Sequence, residues 1–168
     1  SAVHGPTPEK ILAKLGLEKA DFFATGVSIV LHPFSPMVPI IDMNIRYFEM
    51  DNGVHWFGGG IDLTPHYIVP EDAQYFHQEV KKTCDAFDQT YYPKFKTWAD
   101  DYFYLKHRNE TRGIGGIFYD RLSGKSDDEF EQILQFSMAL GRLFPEVYGH
   151  FLKKNSRISF GENEKRWQ

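Results

Sequence analysis

Apolar and polar positions alternate along residues 39–63, PIIDMNIRYFEMDNGVHWFGGGIDL, in two arms separated by Asp51-Asn52-Gly53. Period-two alternation around a turn of that composition predicts a β-hairpin. In the first arm Ile41, Met43, Ile45 and Tyr47 share one face, and Asp42, Asn44, Arg46 and Phe48 share the other. The second arm carries Gly58, Gly59 and Gly60, followed by Asp62. Glycine is weak strand material, so a run of it inside a strand implies that something approaches the backbone closely. Two registers are open. A two-residue Asn-Gly turn sets Asp42, Asn44 and Arg46 opposite Leu63, Ile61 and Gly59. A three-residue loop, with Gly53 left-handed, pairs Met50 with Val54 and sets Arg46 opposite Gly58, Asn44 opposite Gly60 and Asp42 opposite Asp62. The second is preferred, because it gathers the polar side chains over a bare glycine floor and leaves the apolar face for a core. It also opposes two carboxylates, which need a cation, a proton or a ligand between them. An ordinary amphipathic hairpin, bulged at the glycines and with Arg46 and Asp62 simply paired to each other, stands as the alternative.

The same patterning divides the rest of the chain. Ser1–Pro6 reads as a loose lead-in, and Thr7-Pro8 as the cap and first position of a short helix. Thr25–Leu31 is a strand ended by His32-Pro33, and the proline-rich run after it is an ordered bend. Pro70, Glu71 and Asp72 open a helix to about Asp88, with Ala73, Phe76, Val80, Cys84 and Phe87 on one stripe. A second helix over Pro93–Lys106 turns Phe95, Trp98, Tyr102 and Leu105 inward. Thr111–Leu122 reads as a further glycine-rich strand. Ser126–Glu129 is a capping box before a long helix with Phe130, Ile133, Leu134, Ser137 and Leu140 inward, which Pro145 is expected to interrupt. Hairpins followed by paired helices predict an α+β fold, an antiparallel sheet covered by helices. Three well-supported strands are few for so many helices, and the sheet is expected to be incomplete.

Composition narrows the chemistry. The 168 residues hold one domain's worth of core, so a single domain over 1–168 is expected. Nineteen basic and 23 acidic residues are interspersed at net charge −4, so no basic patch argues for nucleic acid. Aromatic residues make up 16% of the chain, which suits a large flat or apolar ligand and equally an aromatic core. The single cysteine, Cys84, rules out an internal disulfide and reads as packing on a helix face. No apolar run approaches membrane-spanning length.

His32, His77 and His107 with Asp42 offer the two-histidine, one-carboxylate set of a non-haem iron site, but at long and irregular spacings. His77, beside the apolar stripe of its helix, reads as a structural histidine. Gly113–Phe118, GIGGIF, lacks both the Walker lysine and the dinucleotide glycine spacing. Nothing signals a serine triad through Ser28 and His32. What remains is Arg46, suited to a bidentate grip on a carboxylate, and Asp62, able to accept hydrogen bonds from N–H donors or move a proton, on one glycine-rich face.

Several motifs carry a family resemblance. TGVSIVLHP at 25–33, NIRYFE at 44–49, WFGGGIDLTP at 56–65, YPKFK at 92–96, DDYF at 100–103 and HRNETRGIGGIF at 107–118 resemble the oxygen-dependent coproporphyrinogen III oxidases, in order and with compatible gaps. The resemblance implies oxidative decarboxylation of two propionates of coproporphyrinogen III to the vinyls of protoporphyrinogen IX, in haem biosynthesis. Molecular oxygen is the co-substrate, and no organic cofactor or metal is implied. It implies a flat antiparallel sheet sandwiched between helices, a homodimer, no nucleic-acid partner, no membrane span, and a cytoplasmic enzyme, or one of the mitochondrial intermembrane space in a eukaryote. Asp62 corresponds to the aspartate that acts at the pyrrole N–H groups, and Arg46 to a propionate-binding arginine. Ser28, Asn44, Ile45 and Arg46, with Gly59 and Gly60, would line the substrate site.

Two departures qualify it. Members of the family commonly carry a histidine, proposed as the acid or base, two residues before the asparagine of N-x-R. This chain has Asp42 there, which can still handle a proton but is never an imidazolium. Family chains also extend beyond both ends of this sequence, so a central fragment with slow or no turnover by itself is expected. A metal-dependent oxygenase using His32, Asp42 and a further histidine, and a tetrapyrrole-binding module without turnover, are the alternatives.

Overall fold

In the computed structural model, residues 1–16 and 20–166 are described. In chain order the elements are β1 (Ala2–Pro6), α1 (Glu9–Leu15), β2 (Asp21–Leu31), β3 (Ile40–Met50), β4 (His55–Thr64), α2 (Pro70–Asp85), α3 (Tyr91–Phe103), β5 (Tyr104–Leu105), β6 (Glu110–Thr111), β7 (Gly116–Leu122), α4 (Asp127–Asn155) and α5 (Glu162–Lys165). Five strands form one antiparallel sheet in the order β1-β2-β3-β4-β7, and β5 and β6 form a separate two-stranded ribbon. The expected α+β class with an antiparallel sheet is what the structure shows.

The preferred hairpin register holds. Gly53 is left-handed at φ 87°, the Met50 N–H donates to the Val54 carbonyl at 2.8 Å, and Arg46 faces Gly58, Asn44 faces Gly60 and Asp42 faces Asp62. One face of the sheet therefore presents Ile41, Met43, Phe57, Ile61, Leu63, Ile117 and Tyr119 to Phe76, Val80 and Cys84 of α2 and to Phe136, Leu140, Val147 and Phe151 of α4. Gly59 points to this side, where a Cβ would sit 2.7 Å from the Tyr119 hydroxyl; that hydroxyl is instead hydrogen-bonded to Ser137 at 2.9 Å. Helix α3 runs along β7, the outer strand. Phe95 packs on Tyr119 on the core side, while Trp98 and Tyr102 pack on Phe118 on the opposite side.

Several sequence expectations are corrected. Residues 2–6 are an edge strand paired with β2 rather than a loose lead-in; the glycine and proline in this segment hide it. Helix α1 starts at Glu9 with Pro8 in the cap position, and Thr7 gives no side-chain cap. Residues 111–122 are not one strand: Gly113 and Gly115 take positive φ and break it, so that β7 begins at Gly116. Trp98 and Tyr102 are 38% and 64% exposed rather than inward. Helix α4 continues through Pro145 for 29 residues. The proline removes one N–H, but Leu143, Phe144, Val147 and Phe151 on both sides of it are buried in the core and hold the helix together. At its start Ser126 Oγ accepts from the Glu129 N–H, as a cap should, while the Glu129 carboxylate reaches back to the Lys125 N–H.

Gly60 and Gly58 differ in what a side chain would meet. A Cβ at 60 would lie 2.6 Å from the Ile117 carbonyl, a backbone atom that cannot retreat without opening β4 from β7, whereas at 58 it would meet the mobile end of Arg46. Gly60→Ala is expected to lower stability by about 2 kcal/mol, and Gly58→Ala by less. Urea unfolding of both variants checks this; equal midpoints would count against it.

Candidate functional site

The face of the sheet turned away from α2 and α4 carries the alternate residues of each strand. Ser28 of β2 lies opposite Asn44, and Asn44 and Arg46 of β3 lie opposite Gly60 and Gly58. Without a side chain at 58, the Arg46 guanidinium lies close over the sheet, its Nε 2.6 Å from where a Cβ on residue 58 would be. Arg46 donates to Asn44 Oδ1 at 2.9 Å and to Asp120 Oδ1 at 3.1 Å, and stands over the Phe118 ring. A bulge delivers Asp120. Phe57 pairs with Leu122 and Gly59 with Tyr119, so Gly58 is opposed by two residues, Asp120 and Arg121. Arg121 takes a left-handed φ of 51°, and both side chains reach the open face, with the Arg121 cation over Trp56.

Aromatic rings frame this polar band at both ends. Phe48 stacks on Trp56 at 4.2 Å and on Phe22 at 5.6 Å on one side, and Tyr102 stacks on Phe118 at 4.6 Å on the other. Two depressions, of about 620 Å³ and about 210 Å³, share Ser28, Asn44 and Arg46 in their walls. The larger extends toward Phe48 and Trp56, and the smaller toward Asp42, Asp62 and Arg112.

Asp62 is the buried charge of the face, only 5% exposed. Burial raises its carboxyl to about 6; the hydrogen bond and charge of Arg112 oppose that rise, and the Asp42 carboxylate adds to it. Arg112 Nη2 donates to Asp62 Oδ2 at 2.7 Å. A carboxyl so placed gains and loses a proton near neutral pH, while Arg46 offers a planar cation for a carboxylate. Together they can bind an anionic ligand and exchange a proton with it.

Of the residues picked out in the sequence, Ser28, Asp42, Asn44, Arg46, Gly60 and Asp62 all meet on this face. The side chain of Ile45 and the bare Cα of Gly59 turn to the core side, so only their backbone lies beside the site. Arg46 and Asp62 do not pair with each other. Their partners, Asp120 and Arg112, were not singled out, because each is reached by a contact between residues far apart in the chain; the bulge and the left-handed glycines 113 and 115 carry no periodic signal. His77 is a structural histidine, as expected: its Nε2–H donates to the Ile114 carbonyl at 3.0 Å and its Nδ1 accepts from the Tyr92 hydroxyl at 3.1 Å. Among the described residues no three His, Cys, Asp or Glu side chains converge in a metal-binding cluster, and none of the helices is long and apolar enough to cross a membrane. Cys84 is buried in the core, and burial pushes its thiol up to about 12, as a packing residue rather than a nucleophile.

The family described as coproporphyrinogen III oxidase matches residues 1–168. The chain is 47% identical over 151 residues to the oxygen-dependent coproporphyrinogen-III oxidase of Drosophila melanogaster, covering 88% of this chain and 38% of that protein. It is 42% identical over 174 residues to the protein of the same name from Francisella tularensis subsp. holarctica, covering 100% of this chain and 56% of the relative. A relative from Hordeum vulgare named as the chloroplastic enzyme is 44% identical over 155 residues. The chain thus spans between 38% and 56% of the length of the first two.

Raising the Asp62 carboxyl to about 6 from its ordinary value ties stability to pH. Between roughly pH 4 and 6 the folded protein holds more protons at Asp62 than the unfolded chain does, so stability falls as pH rises through that window. Above it the ionised group costs on the order of 3 kcal/mol. Asp62→Asn is expected to flatten this decline. Urea unfolding at pH 4.5 and pH 7 measures it, and an undiminished slope in the variant would sink the assignment.

Proposed function

The chain belongs to the coproporphyrinogen III oxidase family, and on that premise we propose that its open sheet face binds coproporphyrinogen III and converts two of its propionates to vinyl groups. Each step takes one propionate and one molecule of oxygen to a vinyl group, carbon dioxide and hydrogen peroxide. The substrate presents carboxylates at its rim and four pyrrole N–H groups at its centre. The supporting observation is the pairing of Arg46 with a buried, proton-exchanging Asp62 over a glycine floor between aromatic rings.

Arg46 holds a propionate. Its bond to Asp120 joins two half-exposed groups, which a substrate carboxylate can displace at small cost. Asn44 fixes the guanidinium from the side. Ser28 and the backbone at Ile45, Gly59 and Gly60 line the path of the macrocycle, whose rim lies against Phe48 and Trp56. Depressions of this size fall near the range of about 300–1,000 Å³ in which small ligands bind. Asp62 accepts hydrogen bonds from the pyrrole N–H groups and takes up a proton as charge develops on the ring. Asp42, directly across the ladder, is the second acid–base group, in place of the family's histidine. The reading includes no organic cofactor and no metal, a homodimer of the whole protein, and action in the cytoplasm or the mitochondrial intermembrane space.

The whole protein, assayed aerobically with coproporphyrinogen III by fluorescence of the oxidised product, is expected to yield protoporphyrin. Arg46→Ala should mainly raise KM, and Asp62→Asn should lower kcat by roughly 10²–10⁴. Turnover unaffected by both substitutions would overturn the assignment, and activity abolished by chelation and restored by iron would overturn the metal-free part of it.

A further inference from the structure

Arg112 reaches Asp62 by a route that belongs to neither sheet nor helix. The short β5–β6 ribbon follows α3 directly, and the Arg112 N–H donates to the Phe103 carbonyl at 3.1 Å. Two backbone bonds then tie the following loop to the end of β4: the Ile114 N–H donates to the Leu63 carbonyl at 3.0 Å, and the Leu63 N–H to the Gly115 carbonyl at 3.1 Å. Gly113, between Arg112 and Ile114, is left-handed at φ 58° and is packed against the Leu63–Thr64 backbone, so the chain crosses β4 at close quarters. Arg112 leaves this loop with its guanidinium 4.2 Å above the Phe103 ring. Ring and backbone together aim it at Asp62 before any ligand binds. Phe118, Tyr102 and Phe103 wall the smaller depression in which the two meet.

The charge inventory around Asp62 is short. From β3 the Asp42 carboxylate faces it directly; from β7 its neighbour is Gly116, without charge; from the end of α3 come Tyr102 and Phe103; and Arg46 lies farther along the same depression, committed to Asn44 and Asp120. Arg112 is the one cation bonded to Asp62 among the described residues. It occupies Oδ2, and Oδ1 accepts no hydrogen bond among the described residues. Burial and Asp42 both favour the protonated form, and Arg112 opposes them.

We infer that Arg112 is a positioning residue for Asp62: it locks the carboxyl through Oδ2, leaves Oδ1 for the ligand, and favours the ionised carboxylate against burial. The inference rests on the proposed function only in the identity of the ligand; the effect on the carboxyl is independent of it. The Arg46–Asp120 pair, by contrast, joins side chains 44% and 35% exposed, where water already supports both ions. Asp62, with its side chain 7% exposed, has no such support, and its state depends on its partner.

The test follows the Asp62 carboxyl in the whole protein by carbon-13 NMR with labelled aspartate, using Asp62→Asn to assign the resonance. Arg112→Gln is expected to raise the titration midpoint by about one to three pH units, and Arg112→Lys, which keeps the charge but loses the planar geometry, by less. A midpoint unmoved in both overturns the inference, whatever the protein does to a substrate. In turnover, the acid limb of the rate–pH profile should move upward by the same amount, with the rate at pH 7 falling by between about twofold and about a hundredfold as that shift runs from one unit to three, and recovering as pH rises past the new midpoint. A uniform loss at every pH, with the limb in place, would reduce Arg112 to a structural residue. Loss of turnover in Asp62→Asn with an unmoved Arg112→Gln limb would leave the functional reading standing and sink this one.

Discussion

The register of β3 against β4 governs everything else in this protein. It is set in three residues, Asp51-Asn52-Gly53, where the left-handed Gly53 lets its N–H donate to the Met50 carbonyl at 3.0 Å and closes the turn. Because side chains alternate along a strand, a slip of one residue against β4 would bring Asp42 level with Leu63, Asn44 with Ile61 and Arg46 with Gly59, residues that face the helices. With the register as it is, apolar residues of three strands meet α2 and α4, and the polar residues of the same strands share the opposite face. Core and site are two sides of one pairing.

The glycine run in β4 serves both sides in turn. Gly59 opens the core side to the Tyr119 hydroxyl, while Gly58 and Gly60 clear the open side, where the Arg46 guanidinium lies on the backbone itself. A strand with ordinary side chains at these three positions would lift Arg46 off the sheet and crowd Tyr119. The weakness of glycine as strand material is tolerated because β4 is held between β3 and β7 and is buried from Phe57 to Leu63.

The two arginine–carboxylate pairs on the open face are unlike in consequence. Arg46–Asp120 is half exposed and exchangeable, which suits a cation that must release one carboxylate to take another. Arg112–Asp62 has one member withdrawn from water, so the arginine governs the protonation of the aspartate rather than its net contribution to stability. The same ionic chemistry yields a binding contact in one place and control of a proton in the other, and burial alone separates them.

Local pattern was enough for much of this. The alternation in 39–63 and the Asn-Gly turn predicted the hairpin and its register, the 3.6-residue stripes predicted the buried faces of α2 and α4, and Asp62 and Arg46 stood out by residue type against a glycine background, because each of these signals lies within a few neighbouring positions. Other features were not legible. The edge strand β1 has too few regular residues to show a period, and the packing that carries α4 through Pro145 comes from distant strands. The partners of the two key charges lie 74 residues from Arg46 and 50 residues from Asp62. Sequence by itself determined which charged groups would share one face with a glycine floor, since strand alternation is a local rule. Which counter-ion each received, and how far each was removed from water, was settled by the bulge at Asp120–Arg121 and by the loop that crosses β4 at Gly113, because burial and ion pairing exist only once distant segments have come together.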